Sequence, residues 1–137
     1  MKYLLDTTTI SDWLKGDKQV KQNLLSISPV NIYISPIVRF ELAFGLNNKL
    51  SLRKLYNDPL QSLYAKTNAL SFDKDTAEIA AEIRYDLKKA GKTLPAPDIL
   101  IAASALQYGS ILVTSNTKHF RRIKLLSLTD WKIPISF

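Results

Sequence analysis

The chain has 137 residues, 46% of them hydrophobic, which predicts one folded globular domain spanning residues 1–137. It has no cysteine, which excludes disulfide bonds and thiolate metal sites. No apolar run approaches the ~20 residues of a membrane span and no signal-peptide segment opens the chain, so we expect a soluble cytoplasmic protein without membrane contact. The formal charge is +7, with 19 Lys and Arg against 12 Asp and Glu, and favours a polyanionic partner such as nucleic acid.

Short apolar runs alternate with helical patterns along the whole chain. Strands are predicted at 3–5, 32–34, 69–71 and 111–114, and a last short strand in the tail, 125–137. Helices are predicted at 7–16, 20–29, 36–45, 74–90 and 98–106, with a broken helical pair at 50–66 around Pro59. Strands separated by helices pair in parallel and carry helices on both faces. We therefore predict a three-layer α/β/α domain with a central, mainly parallel sheet.

Local signals mark several of these boundaries. Ser35 fits an N-cap, with Pro36 at the first helical position. Asp73 can cap the following long helix, and Gly91 can end it. After the strand at 111–114 comes a polar turn, Ser115-Asn116-Thr117, and then a basic patch from Lys118 to Lys124.

Three acids differ from the others in their surroundings. Asp17, Asp58 and Asp86 each have a lysine three or four residues away, as is typical of solvated helix faces. Glu41 and Asp98 have no basic residue at these spacings, Asp6 follows a predicted strand instead of lying on a helix face, and each of the three adjoins apolar residues. A carboxylate near apolar surface needs a cation or hydrogen bonds, or it takes up a proton. Asp6 also follows the first strand, where the ligand crevice of an open α/β sheet lies.

A divalent cation would relieve the repulsion among such acids. Mg²⁺ or Mn²⁺ suits carboxylate and water oxygens, whereas one histidine and no cysteine disfavour zinc. Such an ion can activate water and stabilise the charge on a phosphoryl group. A basic chain with an acidic pocket therefore predicts phosphodiester hydrolysis, with Lys118, Arg121 or Arg122 steering RNA toward the site.

Each of these side chains also has an ordinary structural interpretation. Asp6 can cap the first helix, and Asp98 can be a first-turn acid favoured by the helix dipole. Glu41 can be a solvated helix residue, and Asn116 a turn residue. His119 is interpreted as a surface or RNA-contacting residue, because a lone histidine proves little.

Four motifs in order, with the tail, shift this balance. They are Leu5-Asp6-Thr7-Thr8, SPIVRFELAFG (35–45), IRYDLKKAGKTLPAPD (83–98) followed by ILIAASAL, ILVTSNTKHF (111–120) and the closing Leu128 to Trp131. In these motifs the chain resembles PIN-domain ribonucleases of the VapC toxin type over nearly its whole length.

The resemblance implies a Mg²⁺- or Mn²⁺-dependent endoribonuclease, the toxin of a type II toxin–antitoxin pair. Asp6, Glu41 and Asp98 would map to metal-binding acids of the family, and Asn116 to a fourth site position that is an aspartate in many PIN domains. The partners implied are an RNA substrate, a cognate antitoxin and a second copy in a homodimer.

Two residues depart from the family pattern. Asn116 lacks the charge of an aspartate, which favours one metal ion over two, and Thr8 replaces the usual asparagine. These departures leave open a non-catalytic RNA-binding or regulatory domain. An aspartyl-phosphate phosphatase is disfavoured, because Thr8 stands where a second aspartate would be needed.

Overall fold

The structure is a computed structural model that describes residues 1–135; Ser136 and Phe137, the end of the predicted domain, lie outside the described residues. Its strands are Tyr3–Leu5 (β1), Ile32–Ile34 (β2), Asn68–Ala69 (β3), Ile111–Val113 (β4) and Leu128–Thr129 (β5). Its α-helices are Thr7–Leu14 (α1), Lys18–Ser26 (α2), Pro36–Asn47 (α3), Leu50–Lys66 (α4), Lys74–Lys89 (α5), Ala96–Gln107 (α6) and Thr117–Phe120 (α7). A short 3₁₀ turn, Pro29–Asn31, precedes β2.

The strands form one parallel sheet in the order β3-β2-β1-β4-β5. The first two crossovers lead from β1 through β2 to β3, and the third returns past β1 to β4. The direction in which the chain adds strands to the sheet therefore reverses between β1 and β4, although all strands stay parallel. Right-handed crossovers place α1 to α4 on one face, and α5 to α7 on the other. The predicted three-layer parallel architecture is confirmed.

The core lies on both faces of the central strands. Leu4 and Leu112 are completely buried, as are Ile101, Ala102 and Ala103 of α6. A helix that buries nearly its whole circumference has to be apolar all round, which explains the sequence of α6. Strands covered on both faces likewise have no polar alternation.

Predicted caps position two helices. The Ser35 side chain accepts a hydrogen bond from the backbone of Ile37 at the start of α3. Asp73 caps α5 in a capping box with Thr76, and the side chain of Gln107 donates to the same Asp73 oxygen. Gly91 adopts φ +69°, a left-handed conformation that ends α5 without a side-chain clash.

Several predicted boundaries are wrong. Residues 50–66 form one helix, α4, with Pro59 inside it, because Leu60 and Leu63 remain buried beyond the proline. β3 begins one residue earlier than predicted, α3 continues past Gly45 to Asn47, and α6 begins at Ala96. Part of the polar turn becomes the short helix α7, with Asn116 at its N-cap.

Some surface contacts also differ from expectation. Within residues 1–135, Asp17, Asp58 and Asp86 have no basic group within 4.0 Å, although each was expected to pair with a nearby lysine. Asp17 instead caps α2 through the backbone of Val20. Asn23 of α2 is buried, and its amide donates to the carbonyls of Trp131 and Ile133, both at 2.8 Å. The tail after β5 is thereby attached to α2.

Within the described residues, no helix is both long enough and apolar enough to cross a bilayer.

Candidate active site

Asp6 lies at the carboxyl end of β1, at the switch point where the chain begins to add strands on the other side of β1. Leu5 pairs with Val113 of β4, and the Asp6 backbone donates to the Val113 carbonyl at 2.9 Å. In open α/β sheets the ligand crevice lies at this kind of switch point. The side chain of Asp6 is only 3% exposed. Asp6 occupies the N-cap position of α1 but makes no side-chain capping hydrogen bond, so the simple capping interpretation does not explain its burial.

Two threonine hydroxyls hold the Asp6 carboxylate. Thr114 donates to Asp6 Oδ2 at 2.7 Å, and Thr8 donates to the same oxygen at 3.2 Å. Each hydroxyl then accepts a backbone hydrogen bond, Thr8 from Ser115 and Thr114 from Asn116. A hydroxyl has one proton and two lone pairs, so each threonine can donate to the carboxylate while it accepts from the backbone.

Burial raises the pKa of Asp6 above its ordinary value. The hydrogen bond from Thr114 opposes this shift, the negative charge of Asp98 adds to it, and the bond from Thr8 opposes it more weakly. The charges of Asp6 and Asp98 therefore repel each other in the folded chain, although the two residues are 92 positions apart in the sequence. Two carboxylates in such surroundings favour a bound cation or a shared proton.

Glu41 approaches the same edge of the sheet from α3. Its Oε1 accepts a hydrogen bond from the hydroxyl of Thr7, the residue after Asp6, at 2.6 Å. The solvated interpretation of Glu41 is therefore incomplete, because this side chain connects α3 to the first turn of α1. Helix α3 also contacts α6, the helix that carries Asp98.

Asp98 lies in the first turn of α6, where the helix dipole favours a negative charge. Its Oδ2 is 2.8 Å from Nε2 of His119 on α7, and both side chains are partly buried, with 22% and 30% exposure. His119 is thus a partner of a candidate site acid. The partly exposed His119 therefore has a structural role beside Asp98 that its sequence did not indicate, and its contact with RNA stays a prediction.

Asn116 is exposed at the N-cap of α7, where its side chain makes no capping hydrogen bond. Its backbone N–H donates to the Thr114 hydroxyl at 3.0 Å, which connects it to Asp6 through one residue. The turn interpretation of Asn116 holds for its backbone, and its side chain stays available at this edge.

The four predicted site residues thus lie on elements that meet at one end of the sheet. Among residues 1–135, however, no three acidic or histidine side chains are arranged to hold one metal ion. Glu41 and Asp98 each engage another side chain, Thr7 and His119. The donors in this region are mainly carboxylate and hydroxyl oxygens, which suit a hard cation. A shared metal at Asp6, Glu41 and Asp98 stays a prediction.

Sequence reasoning missed two residues of this network. Thr114 follows β4 in the way that Asp6 follows β1, so the parallel pairing of the two strands was the signal that could have found it. His119 had no such signal, because its contact with Asp98 depends on how α7 packs against α6.

Comparisons with known proteins agree with this fold. The PIN domain family matches residues 3–126. Ribonuclease VapC1 of Rickettsia felis is 36% identical over 133 residues, which cover 93% of this chain and 95% of that protein. The tRNA(fMet)-specific endonuclease VapC of Salmonella typhimurium is 25% identical over 131 residues, covering 96% and 98% of the two chains.

A solved structure shares the architecture. The crystal structure of VapBC2 from Rickettsia felis bound to a promoter DNA fragment contains a chain that superposes with a TM-score of 0.87 at 28% identity, covering 96% of this chain and 99% of that one. The match to the family spans most of the chain, and a relative above 30% identity aligns over nearly all of it. This chain therefore belongs to the PIN-domain family and, within it, to the VapC ribonucleases.

Proposed function

We propose that this protein is an endoribonuclease that hydrolyses RNA phosphodiester bonds with Mg²⁺ or Mn²⁺, and that it is the toxin of a VapBC-type pair. The observation that carries the proposal is the buried Asp6 carboxylate at the switch point of the sheet, with Asp98 near enough to raise its pKa. A buried acid held by hydroxyls and facing a second acid is costly unless a cation or proton joins them. The VapC relatives, named as ribonucleases, support the same activity.

In this proposal Asp6, Glu41 and Asp98 hold the metal ion, and Asn116 contributes its side-chain oxygen at the same edge. When bound, the metal would lower the pKa of a water and stabilise negative charge on the phosphate. Thr114 and Thr8 orient the Asp6 carboxylate by donating to Oδ2. His119 orients Asp98 by contacting its Oδ2, as partners of ligating carboxylates commonly do.

The first test compares Asp6→Asn with the unmodified protein on RNA, with initiator tRNA among the substrates because one relative is named for it. We expect Mn²⁺-dependent cleavage by the unmodified protein, its loss in EDTA, and a loss of at least about a hundredfold in Asp6→Asn, because the metal loses a central anionic ligand. Asp58→Asn, an exposed position on α4, is the matched control and should cleave normally. Cleavage by Asp6→Asn at the unmodified rate would refute the assignment.

One observation favours the alternative of a non-catalytic RNA-binding domain. Within residues 1–135, the candidate acids are not arranged as a three-ligand metal site. The same assay separates the alternatives, because a non-catalytic domain would bind RNA and leave it intact with either metal. Titration calorimetry with Mn²⁺ gives a second criterion: the unmodified protein should release heat on binding, and Asp6→Asn should not.

We also propose a cognate antitoxin and a homodimer. A groove of about 300 Å³ between α1, α3 and α4 adjoins Glu41 and is lined by apolar side chains such as Leu46 and Leu52, which suits an antitoxin segment lying across the site. The solved VapBC2 relative is a complex with its partner. Phe40 and Phe44, one turn apart on α3 and more than 60% exposed, offer apolar surface for a second copy.

A further inference from the structure

A cleft of about 450 Å³ lies between the end of α5, the following loop and the start of α6. Arg84, Lys88 and Lys92 line it together with buried Leu87 and Leu94. We refer to it as the cationic cleft. It combines three exposed positive charges with an apolar floor.

The three charges of the cationic cleft have no acidic partner. Within the described part of the chain, no carboxylate lies within 4.0 Å of Arg84, Lys88 or Lys92. Arg84 and Lys88 are one helical turn apart on α5, a spacing at which like charges oppose helix formation. Lys88 lies in the last turn of α5, where the helix dipole favours a positive charge, but the dipole does not account for three unpaired cations around one cleft. Their combined charge suits an anionic ligand.

The cationic cleft adjoins the candidate active site through shared segments. Ile99 lines the cleft and directly follows Asp98 on α6. On the other side, Arg122 donates to the Thr93 carbonyl in the α5–α6 loop at 3.1 Å. Arg122 follows the short helix that carries His119, the partner of Asp98. A polyanion that extends from Asp98 along the α5–α6 loop would thus meet the cleft.

We propose that the cationic cleft is a binding subsite for the sugar–phosphate backbone of the RNA substrate, next to the bond that is cut. Arg84, Lys88 and Lys92 would contact successive phosphates, and the apolar floor would accept a ribose or base face. The proposal rests on the proposed function, since it takes RNA as the ligand. It adds a surface outside the acidic residues that determines how strongly RNA is held.

The test uses a triple variant, Arg84→Gln/Lys88→Gln/Lys92→Gln, in an Asp6→Asn background that binds without cutting. The probe is a fluorescein-labelled single-stranded RNA, and its Kd is measured by anisotropy at several salt concentrations. We expect the Kd to rise roughly tenfold or more, and the slope of log Kd against log salt to fall by about 2, because about 0.7 counterions are released per phosphate of single-stranded RNA.

The matched control is Lys18→Gln/Lys21→Gln/Lys66→Gln, which removes the same charge from α2 and α4 on the other face of the sheet. It should change the Kd and the salt slope much less. In the chain that retains Asp6, the cleft variant should raise KM for RNA cleavage with kcat little changed. Circular dichroism and thermal unfolding confirm that both triple variants, altered at exposed positions, remain folded.

The proposal is overturned if RNA binding weakens equally in both triple variants, or if the cleft variant binds RNA as tightly as its parent. It is also overturned if the cleft variant keeps its RNA binding but no longer binds polyglutamate, measured with the same anisotropy assay. The last would assign the cleft to an acidic polypeptide. Failure of the proposed function is distinguishable from these results. If the unmodified protein does not cut RNA but the cleft variant still loses RNA binding, the subsite stands without the nuclease activity.

Discussion

At the scale of single residues, Asp6 carries a free-energy penalty, because its carboxylate is nearly removed from water and faces the charge of Asp98. A raised pKa in an acid means that the charged form is disfavoured in the folded state. The penalty therefore applies in full at pH values above the folded-state pKa, shrinks as the pH falls below it, and is gone below the ordinary, unfolded-state pKa.

Replacing Asp6 with asparagine should stabilise the metal-free protein at neutral pH by on the order of 1 kcal/mol, which corresponds to a rise in Tm of a few degrees. The amide oxygen of asparagine can still accept the Thr114 hydrogen bond, so the gain reflects the lost charge. Thermal unfolding in EDTA measures it. The gain should shrink in acid buffer, where Asp6 itself is protonated.

With added Mn²⁺, the unmodified protein should become more stable than Asp6→Asn if Asp6 is a ligand. A metal that binds only the folded chain raises its stability. The unmodified protein should then gain Tm and Asp6→Asn should not. Asp58→Asn serves as control, since the same chemical change on exposed α4 should leave Tm nearly unaltered in both buffers. A drop in Tm for Asp6→Asn in EDTA would contradict the electrostatic account.

Sequence reasoning selected Asp6, Glu41 and Asp98 as candidate site acids because each adjoins apolar residues without a basic partner on its own helix face. It could not give their present partners. The contact of Asp98 with His119 and that of Glu41 with Thr7 arise from packing between distant segments, and single-residue patterns carry no record of such distances.

At the scale of elements, α4 shows tertiary packing overriding a local breaker. Pro59 lacks the N–H that would bond to the preceding turn, and a proline inside a helix costs about 3 kcal/mol relative to alanine. The helix nevertheless continues, because Leu52 packs beside α1 and α3 before the proline and Leu60 is buried after it.

Pro59→Ala should therefore raise the free energy of unfolding, by about 1–2 kcal/mol once the larger entropy of the unfolded chain is subtracted. Urea unfolding of the metal-free protein measures the change. Asn57→Ala, at another exposed position of α4, is the control and should gain less than about 0.7 kcal/mol. If Pro59→Ala proves no more stable than the parent, the proline is compensated elsewhere in the fold.

Element boundaries were predictable where a side chain acts on its own backbone. Ser35 and Asp73 cap the helices that follow them, and Gly91 terminates α5, all as the sequence indicates. The prediction of a broken pair at 50–66 was wrong because the decisive groups lie on other elements. The start of α6 at Ala96, before Asp98, was also missed. Two prolines, Pro95 and Pro97, are typical of a loop, but the first turn of a helix accepts a proline because its N–H has no partner there.

At the scale of the whole molecule, the net charge of +7 surrounds a site made of acids. Counterion release from RNA makes binding to such a surface weaken as salt rises. We expect kcat/KM for RNA cleavage to fall by at least about tenfold between roughly 50 and 200 mM KCl, with most of the loss in KM. Initial-rate measurements at fixed Mn²⁺ test this.

The control is the Tm of the protein at each KCl concentration, which should vary little because few ion pairs hold the described residues together. A cleavage rate independent of salt would mean that RNA is held by stacking or shape instead of charge.

The alternation of strands and helices sufficed to predict the parallel three-layer architecture. It did not contain the strand order, which places β1 between β2 and β4 and so brings Thr114, after β4, next to Asp6 across the switch point.

The three consecutive threonines at the start of α1 form hydrogen bonds with different parts of the molecule. Thr7 serves Glu41 on α3, Thr8 serves Asp6 and the turn after β4, and Thr9 donates to the carbonyl of Val113. Successive helix positions point in different directions, so one turn of backbone contacts three neighbours. A change that displaces this turn of backbone would therefore disturb the Glu41, Asp6 and Val113 contacts together, whereas loss of one hydroxyl would remove only its own contacts.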